Sequence, residues 1–476
     1  MKYLYPFIII LLFSFFAKAQ DECGTNRAEA IQRILASKSL IQKHPDGFPE
    51  DERYVPIKFH LVADSEGQQR VTEHKVFEAL CRVNQEFANT GFTFYIKDGF
   101  DYMDNSAVFD YNHTSALTTN SCRQAFDSTA VNIFIVHDIL NPTGSSGIIY
   151  SHPDDWLIMK NSSYFAPLSR TSHGLGHFFS LMNTTSDHIE IDTSSTCAQN
   201  CENVADFICD TPPDYNVLGP LGADDCTYTG TDQDSCGTPI HPMTNNAMGY
   251  WMCPLFAFTP EQSMVMQADY AKPSRAYLQS NYIPNTTPIN QAPTLISPAN
   301  STTLSSNYVT LDWNDVPNAS TYFLEVSRHS NFSQLTQTFI TTQSEYVLAL
   351  PEPNKNYFWR VTPFNDGYTC SDSLTSMKWT FITGPLALSE IDEISDWSIQ
   401  PNPITSTVRL TLNVNRPINL NLDILSANGQ LLYTEKHRLA ANQQQIELAN
   451  KQLKSGLYFL KITSKAGVEI RRFVVK

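Results

Sequence analysis

The hydrophobic pattern of this 476-residue chain changes character at a single segment rich in proline, threonine and asparagine, Ile283–Pro293. Before this segment, apolar residues recur at helical spacing in one stretch (Val76, Leu80, Val83 and Phe87) and at strand spacing in others. After it, only short alternating runs separated by turn residues remain. The sequence therefore predicts a multidomain protein, in which an α+β domain is followed by two all-β sandwich domains.

The first 19 residues have the pattern of a secretory signal peptide. An apolar run from Leu4 to Phe16 follows Lys2, and small residues come directly after the run. The run is too short to span a bilayer, and we predict no transmembrane segment elsewhere. All 10 cysteines follow this segment, and six of them fall between Cys197 and Cys253. In an oxidising compartment this clustering favours local disulfides, but it leaves the pairing open.

The charge of the chain excludes one class of partner. Lysine and arginine number 32 against 48 aspartate and glutamate residues, which gives a net charge of −16. Such a chain cannot neutralise nucleic-acid phosphates over a broad face, so we predict no nucleic-acid binding. No glycine-rich phosphate loop and no G-x-S-x-G nucleophile motif occurs in the sequence.

Two segments after the linker resemble known β modules. Residues 291–384 resemble a fibronectin type III module, with Trp313 in an early strand and Tyr357–Val361 as a late core strand. We expect these aromatic residues to form the core of a sandwich and assign them no chemistry.

The last segment, 397–476, combines a Pro401-Asn402-Pro403 opening, an Asn-Gly turn at Asn428, and a G-x-Y-x-x-K strand that begins at Gly456. This set resembles the C-terminal sorting domain of the type IX secretion system of Bacteroidetes. The resemblance implies contact with the secretion machinery and export to the outer membrane surface or the extracellular space.

Chemistry, if any, is expected between residues 170 and 265. His173 and His177 are four residues apart on one helix face, so both imidazoles can reach the same metal ion. A D-F-I-C-D-T-P run at Asp206–Pro212 follows, and then an N-A-M-G-Y run at Asn246–Tyr250. Thr259 next begins a predicted helix with the pattern of a capping box.

This ordered set resembles the pappalysin family of metzincin metalloproteases. Those enzymes have an H-E-x-x-H-x-x-G-x-x-H zinc helix, a D-x-V-x-D-T-P loop, a Met-turn and an F-T-x-x-Q helix. The resemblance implies a pro-segment-like leader over 20–53, in which Cys23 corresponds to a cysteine that caps the zinc. It also implies a peptidase domain over 54–282, with Met248 beneath the metal site.

The sequence departs from this family at the catalytic centre. Gly174 stands at the position of the general-base glutamate, Ser180 at that of the helix-ending glycine, and Asn183 at that of the third histidine ligand. A neutral amide is a poor zinc ligand, and losing a general base commonly costs about 10²–10⁴-fold in rate. We therefore predict a pseudopeptidase that binds zinc weakly or not at all, with a protein or peptide ligand in its cleft.

Three alternatives stay open. The protein could be an active zinc-dependent endopeptidase of extracellular proteins with a rebuilt site, in which His188 or Asn183 is the third ligand and Tyr250 is a stabiliser. It could also be a surface adhesin in which only the β modules matter. Separately, the acidic Asp206 and Asp210 could bind calcium through hard oxygen ligands, or they could be solvated surface acids.

Overall fold

The structure is a computed structural model. It describes residues 27–48, 52–140, 148–151, 154–161, 170–184, 201–202, 205–212, 214, 226–231, 233, 237, 239, 241–249, 251, 253–304, 308–333, 335–349, 352, 354–384, 391, 393–404, 408–427, 429–448, 453–464 and 467–476. The chain divides into two compact units, Met1–Pro284 and Asn285–Lys476, and the division falls within the segment that the sequence marks as a linker.

The described elements of the first unit include both helices and strands. They are α1 (Arg27–Lys43), β1 (Arg53–Ala63), α2 (Glu73–Glu86), β2 (Phe92–Ile96), β3 (Asp101–Asp104), α3 (Ser106–Phe109), β4 (Asp110–Tyr111), α4 (Ala116–Ala125), β5 (Val131–Val136), β6 (Asp138–Ile139), β7 (Ile148–Ser151), β8 (Trp156–Lys160), α5 (Thr171–Phe178), α6 (Pro260–Tyr270) and a 3₁₀-helix (Pro273–Leu278).

A six-stranded sheet forms the centre of the first unit, in the order β2-β1-β5-β8-β7 with β3 also paired to β1. Its described pairs are parallel except β7, which runs antiparallel to β8 at the edge. Every residue of β5 is buried, as expected for a strand in the middle of a sheet that is covered on both faces.

Alternate residues of the strands enter two different cores. Ile133 and Leu157 belong to a core with α1, α2, α5 and α6, whereas Phe134 and Trp156 belong to a second core with α3 and α4. The sheet is therefore the middle layer of three. The strands predicted at Phe92–Ile96 and Val131–Val136 are confirmed with the same bounds.

The second unit is built from strands and one short 3₁₀-helix (Asp372–Leu374) in its described part. The strands are β9 (Leu295–Ser297), β10 (Thr302–Leu304), β11 (Tyr308–Trp313), β12 (Thr321–Ser327), β13 (Leu335–Thr341), β14 (Glu345–Ala349), β15 (Asn356–Phe364), β16 (Trp379–Thr383), β17 (Ile394–Gln400), β18 (Val408–Val414), β19 (Ile418–Ser426), β20 (Leu431–Leu439), β21 (Asn442–Leu448), β22 (Gly456–Thr463) and β23 (Val468–Val475).

Strands β9–β16 form a β-sandwich of the fibronectin III type. One sheet has the order β14-β11-β9 and the other β10-β16-β15-β12-β13. Trp313 and Trp359 come from opposite sheets, are fully buried, and pack with ring centroids 6.4 Å apart. The predicted multidomain, sandwich-rich architecture is confirmed, and the aromatic residues of this module form its core.

Strands β17–β23 form a second sandwich with a separate core. Its sheets have the orders β17-β18-β21 and β20-β19-β22-β23. Gly429 has a φ of +85°, which an Asn-Gly hairpin turn requires, whereas Asn428 lies outside the described residues. The turn prediction therefore holds for the residue that the structure describes.

Disulfides join part of the predicted cysteine cluster. Cys201 is bonded to Cys209, and Cys226 is bonded to Cys253. The local crosslinking predicted from the cysteine spacing is confirmed for these two pairs. Among the described residues, no helix has the length and apolarity needed to cross a bilayer.

Candidate functional site

Helix α5, which carries the two histidines, is packed on every side. All eight of its residues are buried. Two interior positions are glycine, and each glycine costs a helix roughly 1 kcal/mol relative to alanine. A Cβ atom on Gly174 would lie 2.2 Å from the Cδ1 atom of Ile148, and one on Gly176 would lie 2.3 Å from the Sδ atom of Met248. Close packing against β7 and against the Met248 loop therefore accounts for both glycines.

The imidazoles of His173 and His177 face each other. Their Nε2 atoms are 3.1 Å apart, and the ring planes are nearly perpendicular, at 88°. Each Nδ1 lies next to a backbone carbonyl oxygen, at 2.9 Å from Ala247 for His173 and at 3.0 Å from Leu181 for His177. The structure thus brings together the histidine pair that the sequence predicts.

These contacts place a proton on Nδ1 of both rings, because a carbonyl oxygen only accepts. The Nε2 atom of His173 lies at hydrogen-bond distance from the Nε2 atom of His177. Burial, and next the positive charges of Arg170 and His177, lower the pKa of His173 well below its usual value, so this ring is neutral. Histidines that bind metals commonly donate their second nitrogen in this way.

The described donors nevertheless do not fit a catalytic zinc ion, which needs three protein ligands. Asn183, at the third position, is fully buried and has only an amide to offer. No group of three His, Cys, Asp or Glu side chains able to hold a metal occurs in the part of the chain that the structure describes. His188 and Tyr250, the residues proposed for a rebuilt site, lie outside the described residues, as does Cys23.

The position of the general base is also filled. The direction in which a side chain would leave Gly174 is occupied by Ile148, with Leu157 Cδ2 at 3.3 Å from the same Cβ position. Both neighbours are almost fully buried and apolar. A side chain at position 174 would therefore begin among hydrocarbon groups.

A buried carboxylate instead anchors the first turn of α5. The Oε2 atom of Glu86 accepts a short hydrogen bond from the Ser172 hydroxyl, while its Oε1 accepts from Arg82 at 2.8 Å and from the backbone N–H of Phe256 at 3.0 Å. With these three donors satisfied, Glu86 holds α2, α5 and the following loop together.

The chain leaves α5 through Ser180, which has a φ of +73°. A non-glycine residue in this region costs roughly 1–2 kcal/mol. The Ser180 hydroxyl donates to Oδ1 of Asp269 at 2.6 Å, which offsets part of that cost. Burial disfavours the charged form of Asp269, but Arg275, Arg33 and Lys272 lie nearby and together lower its pKa to about 2. The predicted departure from glycine is thus accommodated by a buried ionic cluster.

Two arginines bind the carbonyl end of α5. Arg33 on α1 donates to the carbonyl oxygens of His177 at 2.9 Å and Phe178 at 2.6 Å, and Arg275 also donates to Phe178. Cations at this end interact favourably with the helix dipole. Nothing in the local sequence of α5 indicates these partners, because they lie far away along the chain.

The predicted Met-turn residue, Met248, packs beneath α5 and is fully buried. Its backbone N–H donates to Oδ1 of Asn246 at 2.9 Å, and Asn246 exchanges side-chain hydrogen bonds with Gln262 on α6. The neighbouring Ala247 supplies the carbonyl that orients His173. This loop therefore connects the histidine pair to the start of α6.

The two candidate calcium ligands accept hydrogen bonds from neighbouring backbone and hydroxyl groups. Asp206 accepts from the Ile208 N–H at 3.1 Å and from the Thr211 hydroxyl at 3.0 Å, and burial raises its pKa to about 7. Asp210 is exposed and accepts from the Glu261 N–H at 2.7 Å. Asp206 is only 3% exposed, so the surface-acid alternative is wrong for this residue.

The sequence patterns missed the supports of the site: Arg33, Glu86, Ile148 and the Asp269–Arg275 pair. Glu86 follows Val83 by three residues on a strongly amphipathic helix, which is a signal that could have placed it at the buried face. The others belong to distant segments, and no spacing rule connects them to α5.

Comparison with known proteins identifies the end of the chain. Residues 398–476 match the family described as the secretion system C-terminal sorting domain. This confirms the predicted sorting domain and a cell-surface or extracellular location reached by type IX secretion. None of the curated proteins matches the chain.

Solved structures similar to parts of the chain include the FN1–FN3 domains of chicken CNTN1, at 14% identity over 40% of this chain and 68% of that chain, with a TM-score of 0.17. Dimeric latent PorU from Porphyromonas gingivalis matches at 11% sequence identity, over 39% of this chain and 20% of that chain, with a TM-score of 0.16. An Fn3-like protein from Clostridium thermocellum matches at 21% sequence identity, over 20% of this chain and 99% of that chain, also with a TM-score of 0.16.

Proposed function

We propose that the first unit is a secreted pseudopeptidase of the metzincin, pappalysin-like type, which retains the cleft as a binding site for a protein or peptide ligand but lacks the chemistry to cut it. The ligand class follows from the resemblance, since a peptidase cleft binds extended polypeptide. The sorting domain delivers this unit to the outside of the cell, where such ligands occur.

The observation that carries the proposal is the packing of Ile148 against Gly174. The catalytic glutamate is absent, and the space that its side chain would enter holds an isoleucine at a hypothetical Cβ distance of 2.2 Å. Restoring a side chain at this position therefore requires the end of the Ile148 side chain to shift. The mixed sheet with its antiparallel edge strand β7, the histidine helix and the buried Met248 also support a metzincin-type scaffold.

A second candidate function, a zinc-dependent endopeptidase with a rebuilt site, is favoured by one observation. The Nε2 atoms of His173 and His177 converge at 3.1 Å while both Nδ1 atoms donate to carbonyls. This distance suits an N–H···N hydrogen bond when one ring is protonated, and the same convergence lets both nitrogens face one metal ion. The pair is thus oriented to bind a metal, although the described residues complete neither the ligand set nor the base.

The experiment measures zinc content and peptide cleavage on the purified mature chain, with His177→Ala as the matched control. We expect no chelator-sensitive cleavage of unfolded casein or of a peptide library, even after addition of zinc. The same peptides should bind in calorimetry and be recovered intact.

Cleavage that requires zinc and disappears both with a chelator and in folded His177→Ala would overturn the pseudopeptidase proposal in favour of the endopeptidase. Stoichiometric zinc without cleavage would leave the proposal standing and assign the histidine pair a structural metal. Peptides that neither bind nor are cut would remove the ligand-binding part of the proposal.

A further inference from the structure

The helix α1 lies in the segment that the sequence assigns to a removable leader, yet it is built into the core. Ile34 is fully buried, and Ala30 and Ser37 on the same face are also buried in the first unit. Leu35, on the other side of the helix, is 44% exposed. The buried face packs with the apolar residues of α2, α5 and α6. Such a helix contributes hydrophobic stability that its removal would take away.

Polar contacts from α1 reach three different segments. Arg33 binds the carbonyl end of α5 and lies 4.6 Å above the ring of Tyr150 on β7. Lys38 donates to the Phe207 carbonyl at 2.7 Å and pairs with Glu261 at 3.0 Å. The side chain of Lys38 is only 14% exposed, so this pair is partly shielded from solvent. One helix therefore holds the end of α5, the D-T-P loop and the start of α6.

The connection from α1 to β1 has a different character. Residues His44–Gly47 are exposed, and Gly47 has a φ of +81° in an open turn. Exposed turns with few packing contacts are preferred sites of proteolysis. A protease would thus cut the exposed turn after α1 more readily than it would cut within the packed helix.

We infer that α1 is a permanent structural part of the first unit, which stays bound by its own contacts after a cut between Lys43 and β1 and which positions the histidine helix through Arg33. The helix is then an intramolecular partner of the site and not a cap that leaves on maturation. This inference does not depend on whether the site cleaves peptides.

The test is a full-length chain with a specific protease recognition sequence inserted after Gly47. After complete cutting, we expect the α1 fragment to co-elute with the rest of the protein in gel filtration. Ile34→Ala should speed release of the fragment on the order of 30-fold or more, whereas Leu35→Ala on the exposed side should change the release rate by less than about twofold. Arg33→Gln should also speed release.

Two results would overturn the inference. One is a fragment that separates from the cut chain while the remainder keeps the thermal midpoint of the uncut protein. The other is equal release rates for Ile34→Ala and Leu35→Ala. A fragment that separates only as the remainder unfolds would support the inference, because the unit would then depend on α1.

Discussion

Helices α5 and α6 share one core, but they form for different reasons. Helix α6 carries its own start signal, a capping box in which Thr259 and Gln262 exchange hydrogen bonds, with Pro260 in the first turn. Helix α5 has no side-chain cap at its first residue and contains two interior glycines. Isolated helices this short are unstable in water, so the surroundings must supply the stability of α5.

This difference bears on the proposed pseudopeptidase. The contacts that hold α5 come from Glu86, Arg33, Asp269 and Met248, and none of these residues stands at the position that the resemblance assigns to the general base. Under the proposed function, a glycine in place of the glutamate would remove catalysis and leave this frame intact, because the frame and the chemistry would use different residues.

The largest expected effect comes from Asp269→Asn, which breaks the connection between the two helices. Asp269 is buried and pairs with Arg275, at 2.9 Å, and with Lys272, at 2.7 Å. The side chain of Arg275 is only 6% exposed, and removing the charge of Asp269 would leave this buried guanidinium with one anionic partner fewer. We expect a loss of about 3–5 kcal/mol in the free energy of unfolding. Denaturant titration measures it.

The pH dependence of that loss provides a control. The folded-state pKa of Asp269 is about 2, below the value of about 3.9 for unfolded aspartate. Its contribution is therefore complete above pH ~4 and is lost as the pH falls through ~2. The Asn variant should lack this slope.

Asp138→Asn, which breaks the more exposed pair with Lys160, should cost less than about 1 kcal/mol. Equal losses in the two variants would refute the cluster's role.

The next effect concerns Asp206, in the loop whose residues Cys209 and Asp210 contact Glu261 at the start of α6. The pKa of Asp206 is raised to about 7 by burial, so between pH ~4 and ~7 the folded state holds a proton that the unfolded state has lost. The stability contributed by this group falls as the pH rises through that window. Asp206→Asn keeps an acceptor for Ile208 and Thr211 and should remove the fall, a gain of at most about 4 kcal/mol at pH 8. Equal pH dependence of wild type and variant between pH ~4 and ~7 would show instead that Asp206 is ionised in the fold.

Packing at the base position is tested by a double-mutant cycle. Gly174→Ala improves helix propensity by roughly 1 kcal/mol, but its Cβ would collide with the Cδ1 atom of Ile148, so we expect a net loss of about 1–3 kcal/mol. Ile148→Val deletes that methyl group. In the Val background the same Gly174→Ala change should cost little or become stabilising. Additive effects would contradict the close contact.

The sequence predicts what is encoded locally and misses what is assembled from distant segments. The strand at Val131–Val136 and the capping box at Thr259 follow from short patterns, and the pair His173 and His177 follows from helical spacing. Ile148 and Arg33 reach α5 only through the sheet order and the packing of α1. Their roles depend on tertiary contacts over 26 and more residues, which no single-segment pattern contains.

The smallest expected effect is at the local signal of α6. In Thr259→Ala, the Gln262 N–H loses its side-chain acceptor, and we expect the free energy of unfolding to fall by about 1 kcal/mol. Thr259→Ser keeps the hydroxyl and should lie within about 0.5 kcal/mol of the wild-type value. Because Gln262 also pairs with Asn246, Gln262→Ala should cost more than Thr259→Ala and should loosen the Met248 loop, read out as faster amide exchange at Met248. If Thr259→Ala costs as much as Asp269→Asn, α6 depends on its cap more than on its tertiary contacts, and the contrast between the two helices is wrong.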